Sequence, residues 1–390
     1  MTLDEIVRNE SLRQSLAPVT AHQVFLAHAG VAPLPRVAID AMQEYLRRSG
    51  NGMQENSWTA ERVRLARETA AELLGATAGE IALLGPTALG LSLVANGLSW
   101  QVGDEVIYYQ DDYPANVYPW KRLESRGVKA VSLEPKQPGA ITWELIEKSI
   151  TPKTRLVSLA TCSFLSGYRI DFDAIGRQCQ DRGILFCLDA IQSLGAFPMS
   201  VQYVDFLSAD SHKWLLGPCG AGIVYVKASR FEQLEPTLVG SWNVLSPNFI
   251  AQDQIAYPNH AQRYEPGSLN LPGIVGMEAS MRWLLNLGIE HIGQRLRDLR
   301  HYFLDRVRPE GYQVYFESVG TGHSMPESAE SGIISVVHDR FDLSEVSRTL
   351  AAHNVIASLR RNRAGREILR FSPHFYTTKE ELDRVAGMLK

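Results

Sequence analysis

Three groups at three places in the chain have side chains that could act together. Lys213 stands in "SADSHKWLLGPCGAGIVYV" between His212 and Trp214, at the mouth of a glycine-bearing turn that runs into the apolar "GIVYV". Asp189 closes the apolar run "GILFCLDA", with Gln192 three residues on. Thr87 follows Gly85-Pro86 and precedes the helical pattern "ALGLSLVANGL", so it reads as an N-cap of a helix starting near Ala88. A desolvated primary amine condenses with carbonyls and takes protons. A helix N-terminus offers unpaired N–H groups to a phosphate.

Each group alone has an ordinary reading. A strand-end Asp is usually a turn or cap residue. "GPTALG" lacks the Lys-Ser/Thr of a P-loop, and "GPCGAG" precedes a strand, which a dinucleotide fingerprint does not. Together, a phosphate site, a strand-end carboxylate and a strand-end amine meet the needs of pyridoxal phosphate. The carboxylate keeps the pyridine nitrogen protonated, the amine binds the aldehyde, and the helix end neutralises the phosphate.

Such a meeting requires a sheet whose strand ends share one edge. "GDEVIYYQ", "VKAVSLEP", "TRLVSLATC", "GILFCLDA", "VDFLSAD" and "AGIVYV" read as buried strands, and "EIALLGP" as a shorter one. Helical patterns such as "ERVRLARETAAELLG" and "DFDAIGRQCQDRG" lie among them. The alternation predicts a mainly parallel α/β sheet, in which ligands bind beyond the carboxyl ends of the strands. Beyond about residue 260 come two long helices and a smaller α+β pattern. The expected division is an N-terminal arm over 1–20, a large α/β unit over 21–260, and linking helices with a small C-terminal unit over 261–390. "GTGHSMPESAESG", residues 320–332, reads as a mobile loop.

The chain has 390 residues and a formal net charge of −4, which argues against nucleic acid or an anionic membrane as the main partner. No apolar run has the length of a membrane span, and the four cysteines show no CxxC spacing. A cytoplasmic protein with reduced thiols is expected. The histidines show no metal-ligand spacing, so no metal is expected.

"LDAIQSLGA", "SHKWLLGPCGAGIVYV", "YEPGSLNLPGIVGM" and "LRFSPHFYTTKEELDRV" resemble the class V aminotransferase group of pyridoxal phosphate enzymes, from about Phe25 onward. That group includes cysteine desulfurases, selenocysteine lyases, kynureninase and epimerases of the isopenicillin N type. The resemblance implies the fold-type I architecture, with a mainly parallel sheet of the seven-stranded type. It implies Lys213 as the Schiff-base lysine, Asp189 at the pyridine nitrogen and Gln192 at the ring oxygen. Thr87, the N–H of Ala88 and His212 fall at phosphate positions, and Tyr113 falls where an aromatic ring stacks on the pyridine. Ser268, beside Gly267, matches a residue that reaches a partner subunit's phosphate, which implies a homodimer. Arg370 matches the arginine that grips the substrate α-carboxylate, and His28 falls near the substrate. Arg169 reads either as a pocket residue or as part of a salt bridge.

The departures bear on the reaction. Asp210 stands where many relatives have Ser, and is expected to point away from the phosphate. Ala88 replaces a common Thr, and Phe164 stands about where desulfurases have a strand-end Asn. The loop that carries the desulfurase cysteine reads "ASLRRNRAGREIL" here, with Arg360, Arg361, Arg363 and Arg366 and no cysteine. It reads as a solvated basic loop, or as a lid that attracts an acidic substrate. The expected activity is pyridoxal phosphate chemistry at the Cα of an amino acid. Transamination is placed first; a carbon–sulfur β-lyase without a catalytic cysteine, or an epimerase, stays open. A non-catalytic binding protein of the same fold ranks below these.

Overall fold

The computed structural model describes residues 2–320 and 322–390. Met1 of the expected arm and Thr321 of the expected loop lie outside the described residues. The central sheet has seven strands, in the order Ile81–Ala82, Gly222–Val226, Phe206–Asp210, Leu185–Asp189, Thr154–Ala160, Glu105–Tyr109 and Lys129–Leu133. The last five in that order are parallel, and the first two pair antiparallel. Every residue of Leu185–Asp189, Phe206–Asp210 and Gly222–Val226 is buried. Continuous apolar runs suit strands covered on both faces. Alternate side chains divide between two cores: Phe186 and Leu188 join one, and Leu185 and Cys187 the other.

Helix Thr87–Gly97 packs against strand Phe206–Asp210. Gly90 permits the close approach, since a Cβ there would collide with Ser208 and Val224. A second tie fixes the lead-in to this helix. Buried Glu265 accepts from the Leu83 N–H at 2.6 Å and from Arg67 Nη2 at 2.7 Å. Arg67 Nη1 also donates to the Ile81 carbonyl at 3.0 Å. One ion pair therefore joins helix Ser57–Leu74, the edge strand and the segment leading to Gly267-Ser268.

The C-terminal part carries an antiparallel sheet ordered Ser358–Arg361, Glu367–Phe371, Ile334–Val337, Gln313–Val314. Helices Ile289–Val307, Leu343–Ala352 and Lys379–Gly387 close its core around Phe303, Val336, Leu369 and Leu382. Val24 and Leu26 join the same core, and Val24–Phe25 pairs in parallel with Val355–Ile356. The N-terminal segment is helical over Leu3–Arg8 and Glu10–Leu16, and its Arg13 binds the Tyr376 carbonyl and Glu381.

The structure adds detail to two loop expectations. The arginine-bearing stretch is a β-hairpin, because Ser358–Arg361 pairs with Glu367–Phe371 and the turn closes from Gly365 N–H to the Asn362 carbonyl. The end of the 320–332 stretch is anchored, with Ala329, Glu330 and Ser331 buried. There Arg169 N–H donates to Ala329, and Glu330 receives His301 at 2.6 Å and lies 3.6 Å from buried Arg300. A buried guanidinium needs a nearby carboxylate, which fixes that segment. Among the described residues, no helix is long and apolar enough to cross a membrane.

Candidate active site

The carboxyl ends of the parallel strands open on a cavity of ≈ 360 Å³. Asp189 ends one strand, Lys213 follows the end of the next, and Thr87 and Ala88 begin the helix packed beside them. Asp189, Gln192, Lys213, His212, Thr87, Ala88, Tyr113 and Arg370 all lie on its wall. Asp189 and Lys213 meet there because neighbouring parallel strands end on the same edge, and Arg370 is brought to the same cavity from the antiparallel sheet of the C-terminal part.

Lys213 is 6% exposed. Burial pushes its amine down to about 8; Asp189 opposes that shift, and the positive charges of Arg370 and Arg360 add to it. Asp189 is pushed up to about 6 by burial, against the pull of Lys213 and of its bond from the Ile191 N–H. The amine is thus poised near neutrality, as a nucleophile or a base requires.

Helix Thr87–Gly97 begins one residue earlier than expected, with Pro86 at its N-cap. The Thr87 hydroxyl is therefore not the cap. It accepts from the Asp210 N–H at 2.8 Å, so its own proton is available elsewhere. The first N–H groups of the helix have no intrahelical acceptor, and Pro86, Thr87 and Ala88 present that end to the cavity. His212 Nδ1 lies 2.6 Å from Asp210 Oδ1. Asp210 Oδ2 accepts from Gly220 N–H at 3.1 Å, so the carboxylate is consumed by its own turn.

At the opposite wall, Arg370 is 1% exposed and donates Nη1 to the Phe164 carbonyl at 2.7 Å. Its Nε and Nη2 have no hydrogen-bond partner among the described residues. Burial, then Arg360, lowers its guanidinium to about 9. Arg360 also faces the cavity, and its Nε is likewise unpartnered. The other three arginines of the hairpin are paired: Arg361 with Glu367, Arg363 with Asp111, and Arg366 with Asp339. Phe164 meets Tyr113 edge to face at 5.5 Å, and Lys213 Nζ is 5.2 Å from the Tyr113 ring centre.

Two expected site residues stand elsewhere. His28 is not among the residues lining this cavity: it is fully buried, and its ring nitrogens meet the Ser372 carbonyl at 2.9 Å and the Tyr376 hydroxyl at 2.5 Å. Both polar atoms are used, so none is left for a ligand. Ser268 lines a separate cavity of ≈ 590 Å³, with Trp242 and Glu265. Arg169 is structural; it lies over the Phe197 ring at 4.0 Å and donates to the Glu330 carbonyl. Arg360 is the residue that sequence reasoning did not single out. No local pattern carries that signal: Ser358 pairs with Arg370 and every second residue of a strand shares a face, so the pairing register turns Arg360 to the cavity.

A carboxylate, an amine and a helix N-terminus stand around one enclosed space, which is the donor set pyridoxal phosphate requires. Asp189 would hold the pyridine nitrogen, Lys213 the aldehyde carbon, and Thr87, Ala88 and His212 the phosphate.

The family model "Aminotransferase class-V" matches residues 24–385. A protein of Methanothermobacter thermautotrophicus named "Probable cysteine desulfurase" is 28% identical over 411 residues, covering 98% of this chain and 99% of that one. Among solved structures, an apo cysteine desulfurase from Thermococcus onnurineus superposes with a TM-score of 0.86 at 22% identity, covering 97% and 96% of the two chains. A complex of a cystine C–S lyase with its product cysteine persulfide gives 0.85 at 19% identity, covering 96% and 98%.

Proposed function

This chain belongs to the class V aminotransferase family of pyridoxal phosphate-dependent enzymes, and from that premise we propose that it is a carbon–sulfur β-lyase acting on an amino acid with two carboxylates. The observation that carries the reading is the pair Arg360 and Arg370, two guanidinium groups lining one cavity, each with nitrogens that have no hydrogen-bond partner among the described residues. An α-carboxylate satisfies Arg370 through its planar fork, and a second acid group on the substrate satisfies Arg360. Cystine has that form, and a cystine C–S lyase is among the structures of the same fold. Transamination was expected first. The desulfurase names among the relatives favour carbon–sulfur cleavage instead.

The cysteines support a lyase that uses no thiol of its own. Cys162, Cys179 and Cys187 are buried, and burial raises each thiol, to about 11 for Cys162. Cys219 is exposed and is not on the cavity wall. A thiolate nucleophile over the substrate is therefore lacking among the described residues.

Pyridoxal phosphate, when bound, supplies the electron sink that makes the Cα proton removable. Lys213 takes that proton. Asp189 keeps its negative charge against the pyridine nitrogen. Arg370 and Arg360 hold the two ends of the substrate, so that the Cα–H bond faces Lys213. The Cβ–S bond breaks with both electrons leaving on sulfur, and that sulfur takes up a proton. Water completes the balance: cystine and water give cysteine persulfide, pyruvate and ammonia.

The second proposal is a two-fold homodimer. Trp242 lines the Ser268 cavity, and Trp242, Leu245, Phe249, Ile250 and Ile255 of the same segment are at least half exposed, apolar groups suited to a second copy. Ser268 of each subunit would then serve the partner's phosphate site. The deciding assay supplies the holoenzyme with cystine and follows pyruvate and persulfide. Conversion of the cofactor to its amine form, reversed by a keto acid, would establish transamination instead.

A further inference from the structure

We propose that Trp214 is a positioning residue: its indole N–H fixes the direction of the Gln192 amide, so that Gln192 presents an N–H donor to the cofactor. Trp214 is 1% exposed, and its Nε1–H donates to Gln192 Oε1 at 2.9 Å. Gln192 Nε2 donates to the Ala29 carbonyl at 3.1 Å. An indole N–H cannot accept, and a carbonyl cannot donate. Both faces of the amide are therefore assigned by partners that have one role each. A flipped amide would set N–H against N–H and oxygen against oxygen.

The consequence lies in what remains. Oε1 is engaged by the indole, and Nε2 has a second hydrogen beyond the one given to Ala29. Gln192 is on the cavity wall, so that hydrogen is what it can offer a ligand. It suits an oxygen carrying negative charge, and with the phosphate assigned to Thr87, Ala88 and His212 that oxygen would be the one on the ring. The position thus distinguishes an oxyanion from a hydroxyl.

Trp214 can impose this direction because it is itself fixed. Its backbone carbonyl receives His374 Nε2 at 3.2 Å, while His374 Nδ1 accepts from the Phe375 N–H at 2.9 Å. Those two bonds specify one neutral tautomer of His374. The far edge of the indole packs against Gly332, where an added Cβ would come within 2.7 Å of the ring. Placement of Trp214 next to Lys213 then couples the amine-bearing segment to the ring-oxygen contact.

The inference rests on the pyridoxal phosphate assignment, which the colour of the wild-type holoenzyme reports separately. The test is the pH midpoint at which the bound chromophore changes its absorbance, together with cofactor affinity. Trp214→Phe keeps a large ring and removes the N–H. A donor to the ring oxygen stabilises its anionic form, so loss of the fixed donor moves the midpoint alkaline by about one unit. Gln192→Leu gives a shift of the same sign, and the double variant shifts no further than the larger single one, because both act through one contact. A Trp214→Phe midpoint equal to wild type, or additive shifts in the double variant, overturns the proposal. Should Trp214→Phe fail to fold, Trp214→Met decides by the same comparison with Gln192→Leu. An unchanged midpoint, or shifts that add in the double variant, overturns the proposal.

Discussion

The guanidinium groups of Arg360 and Arg370 converge on Gly30: a Cβ placed on that glycine would lie 3.9 Å from Nη2 of each. Two positive groups that approach one residue, with Nε of both lacking a partner among the described residues, are costly unless an anion joins them. The arrangement is that of a site made to receive negative charge at two points.

Loss of either arginine should therefore be felt differently by different substrates. Arg370→Lys keeps the charge and loses the fork. Its kcat/KM on α-amino acids should fall by roughly 10–100-fold, the equivalent of about 1.5–3 kcal/mol, with a much smaller loss on the matching amines. Arg360→Ala should raise KM for cystine about tenfold and leave an S-alkylcysteine, which lacks the second carboxylate, nearly unaffected. Equal losses on both substrates would remove Arg360 from recognition.

Covalent attachment of pyridoxal phosphate to cofactor-free protein should quicken as pH rises through about 8, because only the neutral Lys213 amine is nucleophilic. Arg370 and Arg360 both help to lower that amine. Removing either positive charge makes the protonated amine less unfavourable, so Arg360→Ala or Arg370→Ala should move the uptake profile to higher pH. The same group sets a stability trend. With Lys213 lowered on folding, the unfolded chain binds more protons above about 8. This group therefore makes the cofactor-free protein more stable as pH rises from there toward the ordinary lysine range. Stopped-flow absorbance and urea titrations at several pH values measure the two effects.

No protein-bound persulfide should form during turnover. Cys219→Ser and Cys162→Ala should retain lyase activity within about threefold, apart from any cavity cost at the buried site. Mass spectrometry of the reacting enzyme that finds added sulfur on any of the four cysteines would reverse the lyase reading in favour of a desulfurase.

Assembly should follow the exposed apolar segment. Phe249→Glu combined with Ile250→Glu should convert dimer to monomer in light scattering and weaken cofactor retention. Ser268→Ala should leave the dimer intact and cost about 1.5–3 kcal/mol of cofactor affinity. An active wild-type monomer at assay concentration would refute both statements.

Much of this protein was readable without coordinates. Strand-forming runs that end in Asp189 and shortly before Lys213 predict their meeting, because a parallel sheet brings the carboxyl ends of its strands to one edge whatever the loops do. The Gly85-Pro86-Thr87 turn before a helix predicts an anion site by the same local logic. Other features depended on three-dimensional packing. Whether Arg360 faced solvent or substrate depended on its pairing register with Glu367–Phe371, which no local pattern specifies. His28 looked available until Ser372 and Tyr376, more than 340 positions away, took both its nitrogens. The direction of the Gln192 amide was likewise set by Trp214 and Ala29. Sequence determined which chemical groups exist and which strand ends carry them, since those follow from local periodicity. Tertiary structure alone decided which polar atoms remain unpaired and face the cavity, because a hydrogen bond depends on partners that only folding brings within reach.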